Sequence, residues 1–387
     1  MKWKKAAILS ALVVFASCTK RYSGSISKNT VWKGRIKLTG DVVVERRAEL
    51  KILPGTKISY ARKPKNQVRY IREEAAGPFN ILQNEKIEIL VEGTFTAEGS
   101  REKPIKFLRS KNSGGLIFLG KNRAKLSFVE IDGSPIAIRV YGESSPEIVN
   151  CKIENCSVAG IGYWDMGGGK IKNSTFLNCR HAIGVADFAR PEISNTNVSF
   201  SKLAGIFCEG NSSPVIRSSK ITGNNIGIAG GDISIPEISS NTISGNGAGI
   251  ALWVKSSARI SQNNISRNVS GILVQGESQT SVFENNFLAN GSGISCVESG
   301  DAEILKNLFT ANDFAIILRD SSGGVVKNNR ILGGTGIKLS EVSRATIDGN
   351  NFLGCDTAVK LMNRSHTVFR NNTVKNSKRK ILDERVK

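Results

Sequence analysis

Along most of the chain a small residue is followed by an aliphatic one at a nearly constant interval. The aliphatic position is filled by Leu116, Ile138, Ile161, Ile183, Ile206 and Ile228, then by Ile250, Ile272, Ile294, Ile316, Ile337 and Val359. Successive steps are 21 to 23 residues. A second ladder keeps the same rhythm from Ile153 through Phe176 and Val198 to Val374, and a third from Ile148 through Ile171 and Ile193 to Phe369. Within each period apolar and polar residues alternate at a spacing of two, with Gly, Asn or Pro interrupting every few residues. That spacing predicts short strands and excludes helical repeats. One coil cannot bury its own apolar face, so each must stack in parallel on the next, its strands pairing with their copies one period later.

Two columns of asparagine punctuate the coils. Asn241, Asn263, Asn285, Asn307, Asn329, Asn350 and Asn372 stand two residues before the second ladder. Asn224, Asn246, Asn268, Asn290 and Asn312 stand three residues after it. Asparagine tolerates left-handed backbone angles and bonds to nearby backbone, so both columns are expected to turn the chain and to bond up the stack.

The regular coils are expected over residues 110–376. Irregular coils and a cap should occupy 35–109, with an insertion at 62–85 that could hold a short helix over 69–76, and residues 377–387 read as a charged tail. The repeat resembles that of right-handed parallel β-helix proteins of the pectate-lyase-like and periplasmic nitrous-oxide-maturation types. The fold it implies is all-β, a single-stranded right-handed parallel β-helix with a period of about 22 residues. The resemblance is specific for fold and not for activity, because lyases, hydrolases, epimerases, adhesins and scaffolds share it.

The first residues change the picture of where the protein works. Lys2, Lys4 and Lys5 precede a ten-residue apolar stretch from Ala6 to Phe15, too short to span a bilayer as a helix. Phe15-Ala16-Ser17-Cys18 resembles the lipobox of bacterial lipoproteins. The resemblance implies cleavage of residues 1–17 and lipidation of Cys18, with 18–34 as a tether and Thr19 pointing to the outer membrane. The chain carries 54 Lys and Arg against 33 Asp and Glu, a formal charge of +21. Much of the excess falls early, with 24 basic against 10 acidic residues over 19–125. Such a field attracts anionic lipid or acidic polysaccharide. Export argues against nucleic acid.

Candidate chemistry follows from the strand that carries the first ladder. Side chains one and three residues after the aliphatic point outward. That places Arg139, Tyr141, Trp164, Phe207, Glu209 and Trp253 on one outer face as glycan-binding candidates, since flat rings stack on sugars. The strand-end acids Asp165 and Asp187, on adjacent coils, are candidate catalytic residues, because paired carboxylates can act as acid and base. Three functions remain open: binding of an acidic polysaccharide or other anionic envelope component, a polysaccharide lyase or glycoside hydrolase, and a noncatalytic outer-membrane scaffold. The Asp-Pro-His string of alginate epimerases and calcium-binding nonapeptide repeats are absent. The only histidines, His181 and His366, are about eight coils apart, so neither a metal site nor a cofactor is expected. The cysteines beyond Cys18 are expected to be mostly buried thiols, with Cys156 and Cys179 on adjacent coils.

Overall fold

The computed structural model describes residues 19–64 and 86–385. The signal segment, Cys18, most of the 62–85 insertion and the helix expected at 69–76 lie outside the described residues. The described chain is an all-β, single-stranded parallel β-solenoid of about 16 turns with about 22 residues per turn and no helix. Each regular coil contributes three strands. In one coil these are Ala248–Leu252, Ser257–Ser261 and Asn264–Ser266. They belong to what we call the first, second and third faces. The predicted register holds: Ile250 pairs in parallel with Ile228 and Ile272, Ile260 with Ile238 and Val282, and Ile265 with Ile243 and Phe287.

All three ladders point inward and, apart from the half-buried Phe369 and Val374 that end two of them, are almost completely shielded from solvent. Alternation of side chains along a strand makes this self-consistent, since each buried Ile meets a copy of itself one coil away. Phe287 and Phe309 stack with centroids 4.7 Å apart and planes 7° from parallel. Cys208 and Cys296 share the inward column of the first face, and all six described cysteines are buried free thiols.

Both asparagine columns form continuous ladders. Each amide nitrogen donates to the next Asn Oδ1, at 2.9–3.1 Å from Asn241 to Asn372 and from Asn224 to Asn312. The same Oδ1 accepts the backbone N–H of the Asn below, for example Asn241 N to Asn263 Oδ1 at 2.8 Å. The left-handed angles, however, belong to the residue just before each ladder Asn. Ser240, Gln262, Glu284, Lys306 and Asn328 all have φ near +55°. Gly223, Gly245, Arg267, Ala289 and Ala311 play that part in the other column. The expectation that Asn itself takes the strained angle is therefore corrected. The ladder bonds hold the turn firmly enough that Arg, Lys or Glu can occupy it.

The stack also runs further at both ends than the sequence pattern indicates. Lys20–Ile26 pairs in parallel with Arg35–Val44, and Thr30–Trp32 with Glu49–Ile52, so the expected tether is largely the first coil. Arg379–Arg385 pairs with Thr357–Asn363, which puts the expected tail into a last coil. Both segments are rich in polar residues; the first is anchored by Ile26 and the fully buried Trp32, against which Tyr22 packs at 4.9 Å, and the last pairs through its backbone.

Candidate functional site

The outer surface of the first face between Val140 and Trp253 holds the residues singled out above. Glycine one residue after the aliphatic leaves room for rings to lie flat. A Cβ on Gly162 would sit 2.2 Å from the Trp164 ring, so only glycine fits under it. Trp164 is thereby 3% exposed, packed with Ile136, Val158, Ala159 and Ala186. Tyr141 stacks on it at 4.9 Å and 16°. Further along, Phe207 lies 5.4 Å from His181 and 6.0 Å from Trp253, and both Phe207 and Trp253 are half-buried. Burial, followed by the nearby Arg180 charge, lowers the His181 pKa to about 4, so the imidazole is neutral at neutral pH.

Arg139 is a different case. It is 9% exposed, and its Nη2 bonds Gly114 O at 3.0 Å and pairs with Glu88. The sequence pattern groups it with the aromatics, and the structure ties it to an acid two coils earlier.

The strand-end acids form a ladder of their own. All twelve residues four positions after the first-ladder aliphatic, from Gly120 to Asn363, have positive φ. Where that residue is acidic, its carboxylate accepts the backbone N–H of the same position one coil earlier. Asp165 accepts from Gly142 at 2.7 Å and Asp187 from Asp165 at 2.9 Å. Asp232, Glu298, Asp320 and Glu341 make the same bond at 3.0–3.3 Å. Asp165 and Asp187 therefore have a turn-holding role, shared with acids that have no aromatic neighbour.

Glu209 stands one position earlier and outside this ladder. Half-buried, it has its pKa raised to about 7, first by burial and then by the charges of Asp232 and Asp187. The sequence pattern places it only among the glycan contacts. The signal that sets it apart is spatial: a carboxyl between two acids already committed to backbone, beside an aromatic surface. No group of three or more His, Cys, Asp or Glu side chains could hold a metal among the described residues.

The family model for the right handed beta helix region matches residues 159–309 and 284–383, which together exceed half of the chain. The chain belongs to this family. A search of the curated proteins found no match. Among solved structures, the chain is similar to the periplasmic alginate epimerase AlgG at 11% identity and TM-score 0.33, covering 91% of this chain and 77% of that one. A single-substitution mutant of AlgG matches at 10% identity and TM-score 0.38, with the same coverage. Likeness at this level says nothing of substrate or location.

Proposed function

We propose that this is an exported, lipid-anchored β-helix protein that binds an acidic envelope or extracellular polysaccharide along the outer surface of its first face. The observation that carries the reading is the arrangement of Phe207 and Trp253 beside Glu209. Two accessible rings two coils apart, with centroids 6.0 Å from each other, offer flat contact to a sugar chain. A carboxyl with a pKa near 7 donates a hydrogen bond when protonated, which suits a uronate carboxylate. Tyr141 extends the surface, stacked on the buried Trp164. After loss of residues 1–17, with Lys2, Lys4 and Lys5, 51 Lys and Arg against 33 Asp and Glu leave a net charge of +18, which draws a polyanion in from a distance. Lipidation at Cys18 would hold the first coil at the outer membrane, where such polymers are found.

Glu209 also supports a second reading, a polysaccharide lyase or glycoside hydrolase in which it serves as general acid with Asp187 or Asp165 nearby. One experiment separates the readings. The full chain, purified in detergent, is incubated with uronate polymers, peptidoglycan and lipopolysaccharide, and both retention and product formation are measured. Retention without products, weakened by Trp253→Ala, is the expected result. Chain cleavage abolished by Glu209→Gln or Asp187→Asn would establish the enzyme instead, and no retention even at low salt would leave a scaffold.

A further inference from the structure

The second face changes character half-way along the solenoid. In the earlier coils Pro146, Pro191, Pro214 and Pro236 stand two residues before the inward Ile, and the strands there are three residues long, as in Glu192–Ser194 and Glu237–Ser239. Proline has no N–H to extend the ladder. From Ser257–Ser261 onward the column reads Ala258, Thr280, Ala302, Gly324, Ala345 and Thr367, and the strands lengthen to five residues. Their side chains point inward with the Ile ladder, and the outward residues between them, among them Arg259, Ser281, Glu303, Val325 and Thr346, line an open groove of about 1160 Å³. It crosses six strands, a length of about 24 Å at the spacing of parallel neighbours.

Ion pairs between coils occur on this face on either side of the groove, as Arg370 with Asp348 at 3.4 Å in the later coils, but not among the charges that line it. In the earlier coils acids and bases on this face pair between coils, as Lys125 does with Glu98 at 2.7 Å and Arg217 with Glu192. In the groove each charged side chain has uncharged partners in register on at least one side. Arg259 faces Ser281, Glu303 stands between Ser281 and Val325, and Asp301 between Gln279 and Gly323. None of Arg259, Asp301, Glu303 and Arg344 enters an ion pair among the described residues. Arg259 is held 4.6 Å from the centroid of the Phe283 ring. Ser322, whose buried hydroxyl has no protein partner, also lines the groove.

We propose that this groove is a second binding site, for an extended neutral glycan lying along the solenoid axis. Backbone groups on the floor are consumed by pairing from coil to coil, so an occupant is read by side chains and not as an added strand. Those side chains are hydroxyls, an amide, two carboxylates and two guanidinium groups, which suit the paired donors and acceptors of sugar hydroxyls. The two carboxylates, Asp301 and Glu303, are matched in number by the guanidinium groups of Arg259 and Arg344, so no excess of positive charge draws a polyanion into this groove.

The test titrates the full chain in detergent with neutral hexasaccharides of β-1,4-linked glucose, mannose, xylose and N-acetylglucosamine, and with hexagalacturonate. At least one neutral hexamer is expected to bind. Its Kd should weaken about tenfold or more in Val325→Trp, which fills the groove from an exposed position, and in Asp301→Asn with Glu303→Gln, which removes acceptor charge. Trp253→Ala on the first face should leave it unchanged. Circular dichroism of each variant should match the parent, and the conservative Val325→Thr should bind as the parent does. The proposal is overturned if no neutral hexamer binds, if hexagalacturonate is preferred, or if Trp253→Ala weakens the binding while Val325→Trp does not.

Discussion

Glu209 and Gly162 show how single positions set the surface of the first face. The Glu209 pKa rises on folding from 4.5 to about 7, so the folded chain holds this proton more tightly than the unfolded one. Its contribution to stability is fully present below pH 4.5 and is lost as pH rises through about 7. Melting temperatures of the parent and of Glu209→Gln, followed from pH 4 to 8, should therefore diverge in favour of the variant over that window. A constant difference would remove the burial account of this carboxyl. Gly162 makes the opposite kind of demand, for absence of a side chain. Gly162→Val should push Trp164 off the sheet, cost about 1–3 kcal/mol by overpacking, and red-shift tryptophan emission. The thiols give a third residue-scale check: the six described cysteines should resist maleimide in the native state and react on unfolding.

Each coil is held by two kinds of contact that add along the stack, apolar ladders inside and polar ladders at the corners. Asn263 takes part in the second kind with unusual density. Its amide donates to Ile238 O, Ser261 O and Asn285 Oδ1, and its Oδ1 accepts from Asn241 N and Asn241 Nδ2. Asn263→Ala strands several of these buried groups and should cost about 3 kcal/mol in denaturant unfolding, with Asn263→Asp also destabilising because it loses the donors. The aspartate and glutamate ladder after the first face is more exposed. Removing one of its bonds should cost well under half as much, which a matched Asp320→Ala measurement checks. A larger loss there would mean that the acid turn, and not the asparagine corner, governs coil stacking.

The period, the inward ladders and the parallel register were all legible in the sequence, because a 22-residue rhythm repeated eleven times leaves one way to bury the same positions. The ends were not legible: Lys20–Ile26 and Arg379–Arg385 carry little apolar pattern and join the stack chiefly through backbone pairing, with Ile26 in the core, Tyr22 packed against it and Glu384 paired with Lys360. Nor could periodicity tell which outward residues are accessible. Trp164 and Trp253 occupy equivalent positions three after the aliphatic, and only the neighbouring Gly162, Val158 and Ala186 reveal that the first is covered. Spacing marks Asp165 as a candidate catalytic acid and Glu209 as a glycan contact, and only the spatial surroundings show that Asp165 holds a backbone N–H while Glu209 has its pKa raised by burial. At the N-terminus, the lipobox reading makes its own demand. The full chain expressed in a Gram-negative host should incorporate labelled palmitate, and Cys18→Ser should abolish it.

The central claim is that an acidic polysaccharide lies against Phe207, Glu209 and Trp253. Calorimetric titration of the full chain with a defined uronate oligomer, at two salt concentrations and at pH 6 and 8, tests it most directly. Binding that weakens with salt, weakens from pH 6 to 8, and falls about tenfold or more in the Phe207→Ala, Trp253→Ala double variant is the predicted result. Binding of the same strength in that variant, or stronger at pH 8 than at pH 6, would contradict the account.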